Sequence, residues 1–91
     1  MKASDQFLLR EIAGEYILVP VGTTASGFNG LITTNEIGAF IFRALQQEQT
    51  EQSLLDAVRA EYDVDADTAL ADLREFTEKL RRAGALTEDN D

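Results

Sequence analysis

The sequence predicts an α+β fold, a small winged-helix-like domain with a three-stranded antiparallel sheet followed by three helices. Three observations carry this. Residues 7–34 consist of short β-branched and aromatic runs punctuated by turn residues. Residues 37–83 repeat apolar positions at the 3.6-residue helical period. Between the halves, Thr33-Thr34-Asn35-Glu36 holds a capping-box pattern, Thr followed three residues later by Glu. At 91 residues the chain suits one domain, 1–91, with 1–6 and 87–91 expected to fray.

The strands come first. Phe7-Leu8-Leu9-Arg10-Glu11-Ile12 is followed by Ala13-Gly14, a natural turn, and then by Glu15-Tyr16-Ile17-Leu18-Val19-Pro20, which predicts a hairpin. Pro20 cannot donate to a ladder, so it is expected at a strand end or an unpaired edge. Residues 21–28 form a polar, Gly-containing connection. Asn29-Gly30 can make a tight hairpin turn, but the apolar stretch before it is too thin to be a strand partner. An irregular loop ending at Gly30, where backbones approach closely, fits better. Leu31-Ile32-Thr33-Thr34 is the third strand.

The helices follow. Ile37, Phe40, Ile41, Ala44 and Leu45 mark the buried stripe of the first, with Phe42 a second core contact. Gly38 weakens that helix by roughly 1 kcal/mol relative to Ala, which points to close packing there. A second helix starts after Thr50, a good N-cap, and buries Leu54, Leu55, Val58 and Tyr62. A third runs from near Asp65 to about Ala83. Acidic residues open it, Lys79, Arg81 and Arg82 close it, and Gly84 supplies the stop.

Composition excludes several function classes. A chain this size buries roughly two-thirds of its unfolded surface, enough for one modest core. No apolar run approaches the about twenty residues of a membrane span, and no signal-like start is visible, so a cytoplasmic location is expected. The chain has no Cys and no His, which removes thiolate chemistry, cysteine-ligated zinc and the commonest metal ligand. A formal net charge of −9 disfavours nucleic acid. Asp63-Val64-Asp65-Ala66-Asp67 resembles the start of a calcium loop, but Thr68 and Arg74 stand where Gly and a bidentate Glu are required. An acidic helix start explains it better. Carboxylate pairs such as Glu48/Glu51 follow from abundance, and the glycines match no nucleotide-binding pattern. The expectation is a non-enzyme with no cofactor and no metal.

Binding surface remains. On the third helix Arg74 and Arg81 lie beside Leu70 and Thr77 at helical spacing, an arrangement able to hold an acidic peptide through charge-assisted hydrogen bonds. Equally, both arginines can neutralise neighbours such as Glu75 or Glu78, and the sequence leaves this open. A three-stranded sheet leaves an edge of unpaired N–H and C=O groups, and such an edge can take up a peptide as an added strand. Each ladder bond contributes only roughly 0.5–1.5 kcal/mol net. A micromolar complex needs about 8 kcal/mol beyond association costs, so apolar anchors between strand and helix have to supply the rest.

The run from Phe7 to Pro20 resembles the opening of stand-alone PqqD-like proteins. Phe28-Asn29-Gly30-Leu31-Ile32-Thr33-Thr34-Asn35-Glu36-Ile37-Gly38-Ala39-Phe40 is similar to their strand-to-helix segment, with its Asn-x-x-Gly-Ala core, and Tyr62-Asp63-Val64-Asp65 and Leu80-Arg81-Arg82-Ala83-Gly84-Ala85-Leu86 also match. The resemblance implies a non-catalytic, winged-helix-like, chaperone-like adaptor that recognises the leader segment of a ribosomally made, later modified peptide. It implies two partners, the precursor's leader and a modifying enzyme, often a radical S-adenosylmethionine enzyme with its own iron–sulfur cluster. By position, Gly30, Leu31, Ile32 and Thr33 would pair with the leader; Leu70, Arg74, Thr77 and Arg81 would form the helix wall. Nothing in these residues specifies pyrroloquinoline quinone production over another modified peptide. Two other functions fit the fold. One is a DNA-binding winged helix, which the balance of Arg74, Lys79, Arg81 and Arg82 against Asp67, Asp72, Glu75 and Glu78 opposes. The other is a structural subunit of an enzyme complex with no peptide groove.

Overall fold

A computed structural model of the chain describes residues 1–21 and 32–87. Its elements are β1 (Lys2–Ala3), β2 (Phe7–Ile12), β3 (Glu15–Pro20), β4 (Ile32–Thr34), α1 (Glu36–Ala44), α2 (Glu51–Glu61), α3 (Ala66–Ala83) and β5 (Leu86–Thr87). Strands β2, β3 and β4 form an antiparallel sheet in that order, and three helices follow β4. The α+β class expected from the sequence is therefore present. The loop expected over 22–28 and the Asn29-Gly30 turn lie outside the described residues.

The β2–β3 hairpin turns on Ala13 and Gly14, whose φ values of 54° and 83° are both left-handed. Two such residues give the turn a twist that matches its strands, and Gly accepts this conformation without penalty. Pro20 is the last residue of β3, opposite Phe7, where its missing N–H costs the ladder least. The register places Phe7, Leu18 and Ile32 on the face toward the helices, where all three are buried. Leu8 and Ile12 point the other way and are 44% and 57% exposed.

Each helix starts on a side-chain cap. The Asn35 side chain accepts from Gly38 N–H at 2.8 Å. The cap is thus Asn35 and not the Thr33 of the expected capping box. Asn is the stronger cap, and starting there lets Thr33 stay in the ladder opposite Ile17. Thr50 and Ser53 form a reciprocal capping box on α2. Asp65 caps α3 through Thr68 N–H, so the acidic run read above as a rejected calcium loop is a helix start. Gly84, left-handed at φ 75°, ends α3 as expected.

The core lies between sheet and helices, with Leu18, Ile41, Leu45, Leu54, Val58, Leu73 and Leu80 almost fully enclosed. Phe42 is also in it, whereas Ile37, Phe40 and Ala44 of the expected stripe are only partly buried. Phe40 instead meets Tyr62 edge to face at 5.4 Å. This contact joins the α1 face to the end of α2.

The fraying expected at 1–6 and 87 is corrected by a two-stranded ribbon, in which Lys2 pairs with Thr87 and Ala3 with Leu86. Ala3 N–H donates to Leu45 carbonyl at 2.7 Å and Ser4 N–H to Ala85 carbonyl at 2.8 Å. Ala3, Ala85 and Leu86 are buried beneath these bonds. Strands of two residues carry no periodicity, so composition gives no sign of them.

Candidate functional site

Strand β4 is one of the two edges of the three-stranded sheet, β2 being the other, and among the described residues no strand pairs with its outer side. In an antiparallel ladder, alternate residues send their N–H and C=O groups to opposite sides. Over Ile32–Thr34, one or two residues therefore present both groups outward. Side-chain alternation buries Ile32, exposes Thr33 and leaves Thr34 half-buried over the start of α1.

Thr34 meets α1 at Gly38. A Cβ built on Gly38 would lie 1.8 Å from Thr34 Oγ1 and 3.0 Å from Thr34 Cβ, so only glycine fits. The close approach expected at Gly38 from the sequence is present, and it sets how tightly β4 sits on α1. Beside this contact lies a cleft of about 90 Å³, lined by Thr34, Asn35, Ile37, Gly38 and Ile41 on one side and Asp72, Glu75, Phe76 and Lys79 of α3 on the other. Small-molecule pockets run to roughly 300–1,000 Å³, so this cleft suits one side chain of a larger guest. Ile41 and Phe76 at its base are 1% and 5% exposed, so most of the surface open to a guest is polar. Its α3 rim is charged.

The structure places the sequence-expected site residues in two groups. Ile32 and Thr33 are on the edge strand as expected, and Gly30 and Leu31 lie outside the described residues. Leu70, Arg74, Thr77 and Arg81 do not line the cleft beside β4. At about 100° per residue, Leu70, Arg74, Thr77 and Arg81 share one flank of α3, while Asp72, Glu75 and Lys79 share the other, with the buried stripe between. Arg74 identifies what its flank faces: its guanidinium makes two hydrogen bonds, of 3.0 and 3.1 Å, to Glu51 at the start of α2. Thr77 is buried, and its hydroxyl donates to Arg74 carbonyl at 3.3 Å. Arg81 pairs with Glu78, as does Arg82. These residues join α3 to α2 and to itself, and the wall beside β4 is Asp72, Glu75, Phe76 and Lys79. Periodicity could group the residues of one flank, but not tell which flank β4 would meet.

The ion pairs shift their acids. Hydrogen bonding from Arg74 holds the Glu51 carboxyl below its usual range and raises the guanidinium correspondingly. Glu78 is lowered chiefly by its hydrogen bond with Arg81, and Asp65 by its capping bonds to Thr68. Tyr62 is pushed up by burial and by the neighbouring Glu36.

Two other depressions are present. One, at the α2–α3 turn, is lined by Asp56, Arg59, Ala60, Glu61, Tyr62, Asp63 and Val64 and has no strand edge beside it. The other, of about 260 Å³, lies between β2 and the end of α1 and is lined by Phe7, Leu8, Leu9, Phe42, Arg43 and Gln46. Among the described residues, no group of His, Cys, Asp or Glu is arranged to hold a metal ion, and no helix is long and apolar enough to cross a membrane.

Comparison with known proteins gives two matches of different kinds. The family model described as "Coenzyme PQQ synthesis protein D (PqqD)" matches residues 15–86. The solved structure of TbiB1 in complex with the TbiA(beta) leader peptide is similar over 100% of both chains, with a TM-score of 0.72 and 28% sequence identity. The search of curated proteins returns no match.

Proposed function

The chain belongs to the PqqD family, and from that premise we propose that it is a non-catalytic adaptor. It binds the leader segment of a ribosomal precursor peptide as an added strand on β4 and presents it to a modifying enzyme. The observation that carries this is the edge of β4, unpaired among the described residues, lying beside a cleft against α3. The likeness to TbiB1, solved with a leader peptide, supports the same class of guest.

Energetics fit two modes of contact. The outward groups of Ile32–Thr34 offer a few ladder bonds, each roughly 0.5–1.5 kcal/mol net. An aliphatic side chain partly buried in the cleft adds less than the about 1.5–3 kcal/mol of a fully buried one. Micromolar binding needs about 8 kcal/mol beyond association costs, so further contacts along a longer peptide complete it, with residues Gly30 and Leu31 extending the pairing. The chemistry of modification belongs to a separate chain, for which a radical S-adenosylmethionine enzyme is the class implied by the family resemblance. Their encounter is cytoplasmic, where the precursor is translated, and the adaptor unit spans the chain.

The test is titration of the isotopically labelled protein with the leader encoded beside it. Amide signals of Ile32–Thr34 and of Asp72–Lys79 are expected to move together. Movement confined to β2 and the end of α1, or no movement, overturns the proposal.

A further inference from the structure

We propose that the leader carries a basic side chain that pairs with Asp72 and Glu75, next to an apolar residue seated over Ile41 and Phe76. This inference rests on the leader-binding proposal above and adds the chemistry of the peptide.

The two flanks of α3 are electrostatically different. On the α2 side, Arg74 is held by Glu51 and Arg81 by Glu78, which also binds Arg82 on the exposed face of the helix. Two carboxylates of the same chain thus offset two of these three cations. On the cleft side, Asp72, Glu75 and Lys79 make no side-chain hydrogen bond or ion pair with another described residue. Asp72 and Glu75 are one helical turn apart, so both carboxylates face a guest along the same rim. Glu75 and Lys79 are spaced to pair at i,i+4 yet do not. Asp72, Glu75 and Lys79 thus leave a surplus of one negative charge at the mouth of a single-side-chain cleft that has Ile41 and Phe76 at its base.

A lysine or arginine suits this site on two counts. Its methylene stem can lie beside Phe76 at the cleft while its head reaches the carboxylates. Its charge also fits the chain as a whole, since a net charge of −9 draws a cationic peptide in and repels an acidic one. An acidic leader, which Arg74 and Arg81 would favour, meets the wrong charge beside β4.

The experiment selects binders from a display library of random 12-residue peptides on the folded protein. A parallel selection uses the Asp72→Asn/Glu75→Gln variant, its fold verified by circular dichroism. Enriched peptides are expected to carry Lys or Arg adjacent to Leu, Ile or Phe. Against individual enriched peptides, each single substitution is expected to weaken binding by about two- to fivefold. The double variant is expected to keep the apolar preference and lose the basic one. Arg74→Gln is expected to leave both unchanged. Peptides enriched for the apolar residue alone, or for acidic residues, overturn the charge assignment while leaving strand addition intact. No enrichment of any peptide on the wild-type protein overturns both.

Discussion

Replacing Gly38 by alanine tests the geometry that places β4. Helix propensity alone predicts a gain of up to about 1 kcal/mol, since Ala is the better helix former. The structure predicts the opposite. The new methyl would stand 1.8 Å from Thr34 Oγ1, and because Thr34 Cβ and Cγ2 lie at 3.0 and 3.2 Å, no rotation of Thr34 clears it. An ordinary contact needs about 3.5 Å, so β4 and α1 have to separate. Overpacking of this kind costs typically 1–3 kcal/mol. Set against the propensity gain, a net loss of about 0–2 kcal/mol is expected. The assay is urea unfolding of the four proteins of a cycle: wild type, Gly38→Ala, Thr34→Ala and the double variant. Removing the Thr34 hydroxyl and methyl is expected to relieve the alanine, with a coupling of at least about 0.5 kcal/mol. Leader affinity is expected to fall in Gly38→Ala and recover partly in the double variant. A Gly38→Ala protein that is about 1 kcal/mol more stable, with no coupling to Thr34, would refute the close contact.

Three further outcomes are expected. Arg74→Ala and Arg81→Ala are expected to leave leader affinity within about twofold by calorimetry, because exposed ion pairs on the flank away from β4 contribute little to either binding or stability. Acid is expected to destabilise the protein: Glu51, Asp65 and Glu78 are all lowered in the folded state. Their contribution is therefore complete above the ordinary carboxylate range of about 4 and is lost as pH falls through the lowered values. Glu51→Gln is expected to flatten that acid limb in denaturation curves. Finally, Ala3→Asp places a charge under the β1–β5 ribbon and is expected to cost about 1–3 kcal/mol, read as faster hydrogen exchange at Ser4 N–H.

How far the sequence could be read depended on how each feature is encoded. The hairpin, the caps at Thr50 and Asp65 and the stop at Gly84 were legible because single residue types with strong local preferences mark them. Gly38 was legible for the same reason, as a residue its own helix disfavours. The start of α1 was displaced by two residues because Thr33 and Asn35 both carry capping chemistry, and strand pairing decided between them. The ribbon of Ala3 with Leu86 was illegible because its signal is tertiary. At the site, the edge strand followed from counting strands, but the helix wall did not. Both flanks of α3 bear charged residues at helical spacing, and only the placement of α2, which takes Arg74 through Glu51, shows which flank lines the cleft beside β4.

The register of Lys2 with Thr87 has a practical corollary for protein engineering. Partners across an antiparallel pair stand only about 4.5–5.5 Å apart, so the polypeptide enters and leaves the folded body side by side. A larger enzyme could accommodate the whole unit within one of its surface loops, with little disturbance to host or guest. Fusing the chain in this way to the modifying enzyme proposed for it would make peptide capture and modification events within one molecule.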